Sequence, residues 1–362
     1  MAQAERMKVG DSWEEVNDYF FKQGWTDGLP IVPPTEDRVG AMLQYTDRDP
    51  DEVIAVLEPK RGVATVEKIA INAVMAGCLP QYMPMLVAAI QGAGEARFNL
   101  YGIQSSTHNT SVLMIANGPI AKELDINCGY NVTGDRWRST ETIGRAFRLL
   151  ITNVGGVPGA VNVHTQGHIA RFRNCIAENE DESPWEPLHV ERGFKRETST
   201  ITLFGACTPQ MIDDNSGGKC SKDILNLFAL SIPYLGNRNT NGEGEPLIIL
   251  GPQHANLIAK DGYSKQDVQR FLFERARLRT GNIPPGFLEN YSSRWHKFYI
   301  DVSPEYGVPI ADRPEDIVLV VMGGQGTHSL SVQTLLGSRS VTIPITKKSG
   351  EPVASVEELK RS

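Results

Sequence analysis

The sequence predicts an α/β fold: a mainly parallel or mixed sheet with flanking helices, preceded by a mostly helical N-terminal part. Three observations carry this. Four apolar, β-branched-rich runs lie at 111–116, 199–204, 246–250 and 317–322, and they do not alternate strictly with polar residues. Such runs suit strands covered on both faces. Each run stops at glycine or asparagine, and residues at helical spacing fill the intervals between runs.

The elements can be justified in order. Ser12 and Glu15 have the spacing of a capping box, with Trp13, Val16, Phe20 and Phe21 as an apolar stripe behind it. That predicts a helix ending at Gly24. Pro30, Pro33 and Pro34 fix φ and remove amide donors, so 25–34 should run extended. Thr35 caps a short helix carrying Val39, Met42 and Leu43. Residues 63–93 read as a helical hairpin. Val66, Ile69, Ala70, Ala73 and Val74 recur at helical spacing, Pro80 and Pro84 break the chain, and 85–90 is apolar enough to be buried. Pro119 and Pro252 stand where first helical residues would stand. Further helices are expected at 139–152, 221–232, 253–260 and 265–278, the last opened by Ser264 and Asp267. Three parts follow: a helical part at 1–95, a first α/β part at 96–240 and a second at 241–362. The Gly/Asn-rich stretch 236–244 reads as a surface loop between the last two.

Composition bounds the function. With 40% hydrophobic and 22% charged residues, the 362-residue chain is an ordinary globular protein and not a disordered one. Its 36 Lys and Arg against 43 Asp and Glu give a net charge of −7, which disfavours a nucleic-acid partner. Any cationic pocket must be local. Five cysteines without a C-x-x-C pattern exclude a disulfide scaffold, a thioredoxin motif and a zinc ribbon. The N-terminus has no apolar h-region, and the longest apolar run, around 83–90, is too short to span a bilayer. The expectation is a soluble cytoplasmic protein with no membrane partner.

If the four strands share one sheet and one direction, their turns gather on one edge. That edge would hold Asn117, Gly118, Cys207, His254, Gly323, Gly324, Gly326 and His328. The plainer reading is that the glycines only reverse the chain and the histidines only cap helices. Within the edge, 323–328 (GGQGTH) would expose amides at a helix N-terminus, which suits a carboxylate, phosphate or oxyanion. It is neither G-x-G-x-x-G nor a P-loop, so no nucleotide cofactor is predicted. Cys207, before Thr208 and Pro209, would sit at a helix N-terminus that lowers a thiol pKa. It is the first nucleophile candidate, and Cys220 beside Lys219 is the second.

Three further groups bear on chemistry. His164 and His168, four apart, with Cys175 and Glu178 downstream, form a candidate divalent-metal set for zinc or iron. Thr165 stands where a zincin would have its glutamate, and ordinary hydrogen-bonded histidines explain the pair as well. His108, in the polar run 105–110, is a candidate acid or base; a surface turn is the alternative. Arg136 and Arg138 flank Trp137 and could clamp an anionic substrate, or pair with Asp135 and Glu141.

Four longer segments carry a resemblance: GWTDGLPIVPPT at 24–35, KIAINAVMAGC at 68–78, SPWEPLHVER at 183–192 and GPQH at 251–254. Together they make the chain resemble uncharacterised bacterial proteins associated with the UGSC (seleno)protein group, over most of its length. That group takes its name from a Sec/Cys-Gly-Ser-Cys motif, which this chain lacks; the nearest approximations are at Cys128 and Cys220. The resemblance implies no settled reaction, leaves any redox role to a neighbouring or partner subunit, and carries no residue role onto this chain.

Three functional expectations result. The first is an enzyme acting on a small anionic or polar metabolite, a hydro-lyase or a hydrolase, with metal assistance at His164 and His168 as one route. Here His108, His254 or His328 moves a proton while the glycine loop and the arginines hold charge. The second is a thiol or redox subunit using Cys207 beside a cysteine- or selenocysteine-containing partner. The third is a non-catalytic assembly subunit, with a homo-oligomer interface built from the arm at 25–34 and the apolar helix at 83–90.

Overall fold

The computed structural model describes residues 4–10, 12–157, 164–167, 175–215, 217–241, 244–287 and 307–361. Helix α1 (Trp13–Lys22) opens on the expected capping box: Ser12 Oγ accepts from Glu15 N at 3.1 Å, and the Glu15 carboxylate accepts from Ser12 N at 3.3 Å. The Pro-rich arm after it is not helical. Arg145 grips Asp27 with two bonds of 2.9 Å, which fastens the arm to a later helix. Helix α2 (Glu36–Leu43) follows. A hairpin then appears that the sequence reading passed over: β1 (Val53–Leu57) pairs antiparallel with β2 (Gly62–Thr65). Strands this short give too few residues for a periodicity to register. The helical hairpin is α3 (Val66–Ala76) and α4 (Met83–Ala93). All of α4 except Gln91 is buried, as a helix apolar on every side requires. It is wedged between β1 and the main sheet.

Helix α5 (Leu100–Ser105) leads into the sheet region. The order there is β3 (Ser111–Asn117), α6 (Pro119–Glu123), α7 (Arg138–Asn153), β4 (Cys175–Ala177), α8 (Leu188–Glu191) and β5 (Thr200–Asp213). Next come α9 (Ser221–Ser231), β6 (Leu247–Leu250), α10 (Pro252–Lys260) and α11 (Lys265–Arg275). After the short pair β7 (Arg277–Leu278) and β8 (Val308–Pro309), the chain ends with β9 (Val318–Val321), β10 (His328–Thr334) and β11 (Val341–Pro344). The main sheet has seven strands in the order β4-β3-β5-β10-β6-β9, with β11 also paired to β5. It is mixed, curls into a half-barrel and carries helices on its outer face. The α/β class therefore holds, and the sheet draws strands from both sides of residue 240.

Side-chain alternation sorts the core. Leu113, Ile115, Ile176, Phe204, Ala206, Leu247, Ile249, Val318, Val320 and Val332 pack together on the inner face. On the outer face, Val112, Met114 and Leu203 pack under α3, α4 and α7, while Ile212, Ile248, Leu250 and Leu319 pack under α9, α10 and α11. Beyond β4, Asn179 N donates to Val321 O at 2.8 Å, tying the chain to the far edge strand. No helix among the described residues is long and apolar enough to cross a membrane.

Two expectations about strand ends are corrected. The run at 199–204 does not turn at Gly205; β5 continues for 14 residues to Asp213. Gly205 lies in register with Val112, and a Cβ there would meet Ile103 Cδ1 at 3.0 Å, so this glycine serves close packing and makes no turn. Cys207 is therefore inside a strand and not at a helix N-terminus. Nor does a helix follow the loop after β9, which enters β10 directly.

Candidate functional site

The turn before β3 meets a bulge in β5. Val332 pairs with Pro209 and Thr334 with Ala206, so Cys207 and Thr208 together oppose the single residue Gln333. A bulge of this kind re-aims side chains. Thr110 Oγ1 lies 3.6 Å from Cys207 Sγ, and Asn109 Nδ2 donates to Thr208 Oγ1 at 2.6 Å. Thr165 N donates to Thr107 O at 2.9 Å, which sets His164 near His108.

The turn at 238–241 completes the cluster. Gln333 Oε1 accepts from Arg238 N at 2.8 Å, and Gln333 Nε2 donates to the Tyr234 hydroxyl. Two buried amides hold this turn in place. Asn237 Nδ2 donates to Ile232 O at 2.7 Å, and Asn239 Nδ2 donates to Thr334 Oγ1 at 3.1 Å. The Arg238 guanidinium has no ion-pair partner among the described residues, and its Nε is buried without a hydrogen bond. A half-buried cation without a counter-charge is costly, and the cost falls when an anion binds.

The electrostatics follow from this burial. Burial pulls Arg238 down from its ordinary pKa, opposed by Cys207. Burial pushes the Cys207 thiol up, with Thr110 and Arg238 pulling the other way. Partial burial and then the charge of Arg238 lower His108. Burial also lowers His164, helped by Arg148 and His108 and opposed by a hydrogen bond to the Ile103 backbone. At neutral pH the cluster thus presents two neutral imidazoles, a protonated thiol and a guanidinium with no counter-charge among the described residues.

The remaining sequence candidates are dispersed. Strand β3 runs antiparallel to β5, so Asn117 pairs with Thr200 at the start of β5, while His328 pairs with Asp213 at its end. The four turns therefore do not form one edge. His254 and His328 do come together at the ends of β5, β6 and β9. His254 is 1% exposed; its Nδ1 is 2.8 Å from Ser329 Oγ, which also accepts from Gly251 N at 3.0 Å. The exposed His328 lies 3.3 Å from Asp213. In the glycine loop, Gly323 N already donates to Cys128 O at 2.8 Å. The Tyr130 ring lies so close over Gly324 that a Cβ there would fall 2.1 Å from it. Gly326, at φ +152, follows in the same loop. With no helix behind it, this loop lacks the dipole that the anion reading required.

The expected metal set is split. Cys175 is fully buried in the helix-side core, and burial raises its thiol pKa. Glu178, three residues on, accepts from Asn117 Nδ2 at 2.7 Å and Leu188 N at 2.8 Å. Residues three apart along an extended chain face opposite sides. His168 lies outside the described residues. Among the described residues, no group of three His, Cys, Asp or Glu side chains is placed to hold a metal. Arg138 is committed to the Gly77 carbonyl at 3.1 Å, and Arg136 is exposed ahead of α7.

So the structure gathers His108, Cys207 and His164 from three separate motifs and adds Arg238, which the sequence reading absorbed into a surface loop. The available signal was three asparagines within 237–241, a density typical of side-chain-braced turns. Comparison with known protein families finds no family model that the chain matches, and comparison with curated proteins finds no significant match.

Proposed function

We propose that the chain is an enzyme acting on a small anionic metabolite, a lyase of the hydro-lyase type or a hydrolase, at the His108–Cys207–Arg238 cluster. The observation that carries this is the half-buried guanidinium of Arg238, without an ion-pair partner among the described residues, beside neutral proton-transfer groups. Arginine presents a planar fork that matches a carboxylate or phosphate. With the anion held there, neutral His108 accepts a proton from the adjacent carbon or from an attacking water. Cys207 acts as a polar wall, since burial keeps its thiol protonated. For the same reason the reading as a thiol or redox subunit draws less support.

The test is anion binding by thermal denaturation, using phosphate and small hydroxycarboxylates as probes. At a concentration 100 times its Kd, a ligand of the native state should add about 2.7 kcal/mol of stability. Arg238→Gln should abolish that gain. His108→Gln should keep the gain and lose turnover of any substrate found. Equal stabilisation of wild type and Arg238→Gln, or none in wild type, would remove this reading.

A further inference from the structure

A second cluster lies at the other end of β3, away from Arg238. Asn117, Glu178, His189 and Thr200 are each at least 96% buried, and each keeps one polar atom without a hydrogen-bond partner among the described residues. Their other atoms fix them. Asn117 Nδ2 donates to Glu178 Oε2 at 2.7 Å and to Glu180 Oε1 at 3.1 Å, which leaves Asn117 Oδ1. Glu178 Oε2 also accepts from Leu188 N, which leaves Glu178 Oε1. The Arg196 carbonyl lies 3.2 Å from His189 Nε2 and can only accept, so in the neutral ring His189 Nδ1 carries the lone pair. Thr200, directly opposite Asn117 in the β3–β5 register, has its hydroxyl free.

With Glu178 ionised and His189 neutral, the atoms left over are acceptors, joined by one hydroxyl that can act either way. Two carboxylates, Glu178 and Glu180, are linked through Asn117, with His189 Nδ1 at 3.9 Å from Glu180 Oε1. Lys265 acts on Glu178 only through space, since its ammonium is bonded to Glu191 at 2.5 Å and the Glu186 carbonyl at 3.1 Å. Burial raises the Glu178 pKa, opposed by Lys265, the Leu188 amide and Asn117, so the carboxylate is costly to keep charged and a cation among these acceptors would offset that cost.

We propose that Asn117 Oδ1, Glu178 Oε1, His189 Nδ1 and Thr200 Oγ1 bind a first-row divalent cation. The imidazole selects Mn²⁺, Fe²⁺ or Zn²⁺ over calcium, and the oxygens suit the same ions. Glu180, which also accepts from Gly118 N at 2.7 Å, orients Asn117. The site shares only Glu178 with the metal set expected from sequence. Two of its four ligands are an amide and a hydroxyl, residue types too common in any sequence to mark a metal site.

The chain should be stripped with EDTA and titrated with Mn²⁺ alone, with free Mn²⁺ read by electron paramagnetic resonance. One equivalent should bind per chain, and Zn²⁺ should displace it. Glu178→Gln and His189→Gln should each weaken binding by about tenfold or more. A second readout needs no variant: in the wild-type chain, bound Mn²⁺ should broaden the NMR signals of His189 and Asn117. Absence of a stoichiometric site, binding unchanged in either variant, or broadening that spares these two residues overturns the proposal.

Discussion

His254 carries a pH signature of its own. Burial lowers its folded-state pKa below the ordinary value of about 6.5, opposed by Asp214 and assisted by His328. The unfolded chain therefore takes up a proton at this residue before the folded chain does. Where the unfolded state binds more protons, stability rises with pH. The stabilisation from neutral His254 is complete above the unfolded value and is lost as pH falls through the folded value. Urea denaturation at pH 7 and pH 5 should show lower stability at pH 5, and His254→Gln should flatten that slope. A slope unaffected by the substitution would place the acid sensitivity elsewhere. The same chemistry explains what the sequence showed at this scale. His108 was legible because an imidazole titrates wherever it lies, whereas Cys207 was singled out for a helix N-terminus that the long strand β5 replaces. Arg238 was not legible, because what singles it out is that no carboxylate pairs with it among the described residues, a property of three-dimensional surroundings.

At the scale of elements, the passage from β3 into α6 turns on Gly118. Its φ of +85° and ψ of −174° lie in a region essentially restricted to glycine. A Cβ there would also stand 2.8 Å from Ser199 Cα and Thr198 O, both backbone atoms that cannot swing aside. Gly118→Ala should cost about 1–3 kcal/mol from the backbone conformation alone, read as a lower urea midpoint at unchanged slope. A midpoint equal to wild type would show that this junction relaxes freely. The helix starts at Ser12 and Ser264, the buried α4, and the strands β3, β6 and β9 were readable in the sequence, because capping and apolar runs are local signals. Strand direction was not. A run such as 199–204 looks the same whether its neighbour is parallel or antiparallel, so β5 was cut short and the loop after β9 was assigned a helix it does not have. Ser264→Ala, which removes the 3.1 Å bond to Asp267 N, should cost about 1 kcal/mol, again visible as a lower denaturation midpoint.

At the scale of the molecule, the sheet decides how the chain folds. Strand β5 pairs with β3 on residues before 240, and with β10 and β11 on residues after 328. The inner-face cluster likewise joins Ile115, Ile176 and Phe204 to Leu247, Val318 and Val332. A fragment ending at residue 240 would therefore leave β5 without β10, β11, or the apolar partners of Phe204 and Ala206. Stripping apolar cover from a large aromatic such as Phe204 costs several kcal/mol, about 3–5 when its own side chain is lost, and here a whole face would be exposed. That loss is of the order of the total stability of a typical domain, about 5–15 kcal/mol. The fragment 1–240 should show no near-ultraviolet circular dichroism of native type, and the full chain should melt without a separately folding first half. A soluble fragment with dispersed NMR signals would mean that α3, α4 and α7 can hold β3 and β5 alone. In that case the Arg238 turn, whose backbone is bonded to Gln333 of β10, would be an addition to a pre-formed unit and not part of the core it closes.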